Sequence, residues 1–355
     1  MRTNRPGRRI EGWRSAVLGV VLGAALSLSA AEPRLVVIPI HSRILQNNPL
    51  HDPADRIAAV FLPAQATNGA RLPVVYYLPG FGGAAGNFTN HAPLWLQWVQ
   101  RTADQTMPVV LAVVDARTRW GGSQYLNSPA QGNYADYLCR EVVKQVEARF
   151  PVPRAGVRRI IAGHSSGGFG ALRLGMAQHK LFDAVIALSP DSDFPTSHYP
   201  VTQAAAVKAA SPTEMEQIEN DDAPPPRGDL GYAVALCAAY APVGTKAPGR
   251  FEWLYDAQGN FTPHVWQRWL DNDPLTLVRR NRRAFAARQR VYLEGAAQDE
   301  YAANIGARKI YETLRPTSIP CVFFEPPGHH ADHVPERLAR GVAWVFERPL
   351  PAMPK

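Results

Sequence analysis

The sequence predicts an α/β fold, a mostly parallel central sheet with helices on both faces and an insertion after the first half of the sheet. Three observations carry that reading. Short runs rich in Val, Ile and Leu alternate with segments of helical period over most of the chain. One of these junctions, around residues 157–178, passes from strand to helix through a Gly/Ser corner with no room for a longer loop. The chain has 355 residues, of which 46% are hydrophobic, enough to bury a large core in one domain.

Taken in order, residues 35–45 and 56–63 are β-rich and are separated by Asn, Pro and Asp turn residues, so they read as two antiparallel strands leading into the sheet. Residues 72–78 form a buried-strand run that ends abruptly in Pro79-Gly80-Phe81-Gly82-Gly83. Residues 108–115 are the next strand, followed by a polar loop carrying Arg117, Arg119, Trp120, Tyr125 and Asn127. Leu138, Val142, Val146 and Phe150 recur at four-residue steps and predict a helix over 134–150. Residues 157–162 and 184–188 read as strands flanking a helix over 168–178.

From about 190 to 280 the pattern loosens. An acidic stretch at 214–222, the stiff Pro224-Pro225-Pro226 and the aromatics Trp253, Phe261, Trp266 and Trp269 suggest an insertion over one face, its aromatics serving packing or ligand contact. Regularity returns with a strand at 290–294, a helix at 301–314, a strand at 320–325 and a last helix at 334–346.

Within the corner, Gly163-His164-Ser165-Ser166-Gly167 matches G-x-S-x-G, the nucleophile elbow of α/β-hydrolases. A serine on so tight a turn holds strained backbone angles, and side chains two residues either way would strike the flanking strand and helix. Ser165 is therefore the candidate nucleophile. The Ser166 amide, at a helix N-terminus, is a candidate oxyanion donor. The glycine-rich loop after 72–78 offers the second donor, the Phe81 N–H.

A serine hydroxyl needs an imidazole to take its proton and a carboxylate to orient that imidazole. In this fold the order is Ser, acid, His, each beyond a strand. Asp299, five residues past the strand at 290–294, is the expected acid, and it would also serve as a helix cap. Beyond the last strand stand His329, His330 and His333, with His329 the first choice of base, His330 second and His333 third. The spacing H-H-x-D-H matches no zinc pattern, so no metal is expected. The aromatic and amide-bearing loop after 108–115 makes Trp120 and Tyr125 candidate substrate contacts.

The N-terminus carries five arginines, an apolar run at 16–28 and the small residues Ser29-Ala30-Ala31, the pattern of a secretory signal peptide cleaved after Ala30 or Ala31. The apolar run is short for a membrane span. Removing residues 1–31 takes away five Arg and one Glu, which lowers the formal charge from +8 to +4, so the basic balance is partly a feature of the leader. With a formal charge of only +4 on the mature part, nucleic acid is not an expected partner. Cys139, Cys237 and Cys321 lie far apart in apolar contexts and read as buried thiols.

The chain resembles the esterase D-like esterases of the α/β-hydrolase superfamily, which include feruloyl and acetyl-xylan esterases, siderophore esterases, S-formylglutathione hydrolases and mycolyltransferases. The resemblance spans about 35–346 and rests on five stretches: Leu78 to Gly83, Ala162 to Leu172, Trp120-Gly121-Gly122-Ser123 with Gly132-Asn133-Tyr134, Gly295 to Glu300, and Gly328-His329. It departs at Pro79, where many members carry histidine, and after His329, where a G-H-x-W ending is replaced by Gly328-His329-His330-Ala331. It implies an α/β-hydrolase domain over 32–355 with an insertion around 190–280, and an exported, secreted or periplasmic serine esterase. No cofactor is implied. Ser165, Asp299 and His329 would form the triad, and the substrate would be a small-molecule or polysaccharide ester. An acyltransferase to a sugar or polyol, or a binding module without turnover, are the alternatives on the same fold.

Overall fold

Successive side chains of a strand point to opposite faces of its sheet, so a strand covered on both sides must be apolar throughout. The sequence Val74-Val75-Tyr76-Tyr77-Leu78 is such a strand, and all five residues are buried. In the computed structural model, which describes residues 31–221 and 223–353, Val74, Tyr76 and Leu78 join the core on one face and Val75 and Tyr77 the core on the other. The expected leader lies outside the described residues but for its last position. Ala31–Lys355 forms one compact unit.

Eight strands make the main sheet: β1 (Arg34–His41), β2 (Asp55–Leu62), β3 (Val74–Leu78), β4 (Val110–Val114), β5 (Arg159–His164), β6 (Ala184–Leu188), β7 (Arg290–Glu294) and β8 (Cys321–Phe324). Their spatial order is β1-β2-β4-β3-β5-β6-β7-β8. The β1–β2 and β2–β4 pairs are antiparallel and every pair from β4 to β8 is parallel. Helices α1 (Ala92–Gln105) and α4 (Val334–Val345) bury Trp95, Trp98, Leu338 and Val342 against one face. Helices α2 (Ser166–Ala177) and α3 (Ala303–Leu314) bury Leu172, Leu174, Ile310 and Leu314 against the other. The helical stretch expected at 134–150 is present, widened to a π turn over Tyr137–Val142, and its Leu138, Val142 and Val146 lie in the same core.

The register decides where the site must be. Leu78 pairs with Gly163, His164 with Leu188, and Leu188 and Phe324 with Glu294. Strands β5 to β8 therefore end level and β3 one residue short of them, and the loops that follow these five strands open onto one edge.

The insertion is more regular than its sequence suggests. It folds into short helices, from Phe194–Ser197 to Pro274–Arg280, around Gly228–Tyr240, which is buried on nearly every side. Trp253 and Trp269 are part of this third core, joined by Trp120 from the main domain and by Phe169 from α2. Cys237 is buried and Cys139 and Cys321 half-buried, all three unpaired; burial pushes the Cys139 thiol up to about 12. Among the described residues, no helix is long and apolar enough to cross a membrane.

Candidate active site

Ser165 sits at φ +58° and ψ −125°, in the left-handed half of backbone space that costs a side-chain-bearing residue about 1–3 kcal/mol. The turn is held from both sides, since Ser165 N–H donates to Leu188 O at 3.0 Å and Ser165 O accepts from Phe169 N–H at 2.9 Å. The two motif glycines are required by space. A Cβ on Gly163 would lie 2.2 Å from Gly167 O, and one on Gly167 would lie 1.8 Å from Leu78 O. Ser165 thereby faces a cleft of about 460 Å³ whose walls include Gly80, Phe81, Asp191, Tyr232, Tyr301 and His330.

The oxyanion candidates fall where the loop and helix bring backbone donors together. Gly82 N–H bonds Gly121 O and Gly83 N–H bonds Gly80 O, each at 3.0 Å, while the Phe81 N–H has no backbone acceptor among the described residues. Ser166 opens α2, so its amide has no partner within the helix. A Cβ on Gly80 would come within 3.3 Å of Ser165 Cβ, so this loop approaches the serine closely.

Tyr125 and Trp120 stand elsewhere than expected. Tyr125 is 6% exposed and donates its hydroxyl to Pro79 O at 2.6 Å, pinning the loop that begins at Pro79. Trp120 is buried against Phe251, with ring centroids 5.5 Å apart. Neither lines the cleft. Large apolar rings in a loop beside a core are drawn into that core by the hydrophobic effect, which is what these two do.

The acid and base regions give the main difference from the sequence reading. Asp299 Oδ2 meets His330 Nδ1 at 2.8 Å, with the Asp299 side chain wholly buried and the His330 side chain 9% exposed. His329 turns outward instead, its side chain 68% exposed and its Nδ1 3.8 Å from Glu300. The cause lies in the backbone. Gly328 adopts φ +120° and is held by Gln298 Oε1 at 2.7 Å, while the His330 N–H is tied to Glu300 Oε2 at 3.0 Å. His333 is exposed at the start of α4.

Burial pushes the Asp299 carboxyl up, but the His330 ring, Ser189 and the Tyr301 amide outweigh it and hold the group below the ordinary carboxylate range. An ionised Asp299 makes His330 Nδ1 the donor, which leaves Nε2 free to accept a proton. Among the described residues Ser165 Oγ makes one hydrogen bond, a long one of 3.5 Å to Asp191 Oδ1. Hydroxyl–imidazole bonds at such sites often close only when substrate is bound.

The loop that carries His330 is itself clamped. His330 O accepts from His164 Nε2 at 2.9 Å and from Arg337 Nη1 at 3.0 Å. Arg337, 1% exposed, also bonds Glu294 at 2.8 Å and Ser189 at 2.7 Å, joining the ends of β6, β7 and that loop. Sequence reading did not single out Arg337, His164 or Asp191. A lone arginine at a buried position of an amphipathic helix and a carboxylate just past the end of β6 were the available signals.

A serine held at a strained strand-to-helix corner on the carboxyl edge of a sheet ordered β1-β2-β4-β3-β5-β6-β7-β8 defines an α/β-hydrolase of the serine type. The family model described as "Putative esterase" matches residues 53–334, and the chain belongs to that family: it is a serine esterase, a carboxylic-ester hydrolase. Solved structures similar to it include a ferulic acid esterase, at 16% identity and TM-score 0.59 over 89% of this chain and 98% of that one. A fluorophosphonate-binding serine hydrolase of Staphylococcus aureus matches at 16% identity and TM-score 0.57, covering 89% and 99%. An S-formylglutathione hydrolase of Agrobacterium tumefaciens matches at 16% identity and TM-score 0.55, covering 90% and 97%. At these identities the likeness is one of fold.

Proposed function

We propose that the esterase works through Ser165, His330 and Asp299, with the Phe81 and Ser166 amides as the oxyanion hole. The observation that carries this is the 2.8 Å pair of Asp299 with His330, on the rim of the cleft that Ser165 faces. His330 Nε2 takes the Ser165 proton as Oγ attacks the ester carbonyl carbon. The two amides receive the charge that forms on the carbonyl oxygen. The adduct collapses as the alcohol leaves with the proton from His330, giving an acyl-enzyme, and water repeats the two steps to release the acid and restore Ser165. His329, two-thirds exposed and away from Asp299, takes no part.

Hydrolysis of p-nitrophenyl acetate and butyrate by the mature protein tests the assignment. Ser165→Ala and His330→Ala are each expected to lower kcat by about 10⁴-fold or more, and His329→Ala by less than about threefold. A His329→Ala loss as large as that of Ser165→Ala, with His330→Ala active, overturns the choice of base. The reading also includes export: the five arginines, apolar run and Ser29-Ala30-Ala31 support a leader, and the exported protein should begin at residue 31 or 32 on N-terminal sequencing. A protein exported with residues 1–31 intact would refute cleavage there.

A further inference from the structure

The cleft holds a charged group for which ester hydrolysis as such has no use. Asp191, three residues past the end of β6, is 6% exposed and sets Oδ1 3.5 Å from Ser165 Oγ. Its Oδ2 accepts from Ser166 Oγ at 2.7 Å and from the Tyr232 hydroxyl at 2.8 Å. Oδ1 takes no other hydrogen bond among the described residues, so half of a buried carboxylate waits beside the nucleophile. Among the described residues Asp191 makes no hydrogen bond to His330, whose carboxylate partner is Asp299.

A second acceptor stands next to it. His198, 2% exposed, also lines the cleft, and its Nε2 lies 3.8 Å from Asp191 Oδ2 with no hydrogen-bond partner among the described residues. Neighbours fix its tautomer. Ser197 Oγ gives its proton to Ser192 O at 2.9 Å, so its 3.1 Å contact with His198 Nδ1 is filled by the ring N–H. Nε2 is then a bare acceptor, and burial, against the pull of Asp191, lowers the ring's pKa from its ordinary value. Asp229 adds a second carboxylate to the cleft, and no lysine or arginine among the described residues lines it.

A negative charge beside a forming oxyanion opposes the reaction unless the substrate neutralises it. We propose that Asp191 is a specificity-determining residue that receives an ammonium or hydroxyl group borne on the carbon next to the ester carbonyl of the acyl part, with ammonium preferred. The placement follows from the adduct. Ser165 Oγ is bonded there to the carbonyl carbon, and a substituent on the adjacent carbon lies about 2.5 Å from that carbon, within reach of an oxygen 3.5 Å from Oγ. The alcohol side is excluded because it must face His330 to be protonated. Two acceptors with no donor between them favour a group with several N–H bonds, and the rings of Phe81, Tyr232 and Tyr301 on the same walls favour a cation. The inference rests on the Ser165–His330 reading above and narrows its substrate class.

Ethyl 2-aminopropanoate, ethyl 2-hydroxypropanoate and ethyl 2-methylpropanoate differ only in that substituent. At pH 6.5 the amine is mostly ammonium. With each kcat/KM divided by the ester's own hydroxide rate constant, wild type should favour the ammonium ester over the methyl ester by about 30-fold or more, the worth of one charged hydrogen bond. The hydroxyl ester should fall between them. Asp191→Asn should bring the ammonium-to-methyl ratio within about threefold. If that variant does not fold, inhibition of wild type by 2-aminopropanamide, but not by 2-methylpropanamide, tests the same contact. Equal ratios in wild type, or no turnover of the ammonium ester, with p-nitrophenyl ester hydrolysis still abolished by Ser165→Ala, overturn the inference and leave the hydrolase reading standing. Turnover independent of Ser165 overturns that reading itself.

Discussion

At the scale of single residues, His164 ties the Ser165 corner to the loop of His330. Its ring lies 4.5 Å from the His330 ring and its Nε2 donates to His330 O. Burial, then the neighbouring His330 and Arg337, lower its pKa from 6.5 to about 3. The folded chain therefore binds fewer protons here than the unfolded one, so this group's share of stability is complete above pH 6.5 and is lost as pH falls toward 3. The loss amounts to as much as about 5 kcal/mol at about 1.4 kcal/mol per unit. His164→Gln keeps a donor without the titration, and its urea midpoint should fall less than that of wild type between pH 7 and pH 4; parallel curves would dismiss the assignment. The neighbouring histidines mark the limit of sequence reading at this scale. That the proposed base follows β8 is an expectation the order of strands and the His cluster carry. Which of two adjacent rings turns inward depends on a +120° backbone angle at Gly328 and on Glu300 from another loop, and neither is visible in a local pattern. Tyr125 illustrates the same limit, since its hydroxyl finds Pro79 O, a partner 46 residues away.

At the scale of elements, the elbow is set by space and the sheet by burial. Gly167 has ordinary helical angles, so alanine there would meet no conformational penalty; its Cβ would meet the β3 backbone, with Leu78 O at 1.8 Å and Pro79 O at 2.8 Å. Neither atom can move without breaking the β3–β5 pairing at Leu78 and Gly163. Gly167→Ala is thus expected to cost about 3 kcal/mol or more in urea unfolding, at the severe end for overpacking. Gly156, at φ +76° with open space around it, should cost only about 1 kcal/mol as alanine. Equal small losses for both would show that the elbow yields. The corner and strands β3 to β8 were legible because a strand buried on both faces is a plain apolar run and the G-x-S-x-G glycines answer to a steric need. The helix Gly228–Tyr240 was not, because burial on nearly every side erases the polar face that gives a helix its period.

At the scale of the whole molecule, three cores meet around one cleft, two on the faces of the sheet and one in the insertion. The third is joined to the cleft through Phe169, four residues after Ser165, and through Phe194, which stacks on His198 at 4.2 Å between ring centroids. Trp269 lies at its centre, wholly buried, edge-on to Tyr240 at 5.7 Å and to His198 at 6.4 Å. Its removal leaves a void the size of a large ring, which costs about 3–5 kcal/mol where the surroundings do not collapse. Residues 31–355 form one compact unit, so Trp269→Ala should lower the urea midpoint of a single transition, seen alike by far-ultraviolet circular dichroism and by tryptophan fluorescence. The cleft wall carrying His198 and Tyr232 should loosen with it, while β5, β7 and β8, which carry Ser165, Asp299 and His330, keep their own cores. KM for a p-nitrophenyl ester is therefore expected to rise about tenfold with kcat changed less than about threefold, the pattern of lost binding that is uniform between ground and transition states. A fall in kcat with KM unchanged would mean that the insertion shapes the catalytic groups themselves, and a separate early transition would mean that it folds as a unit of its own.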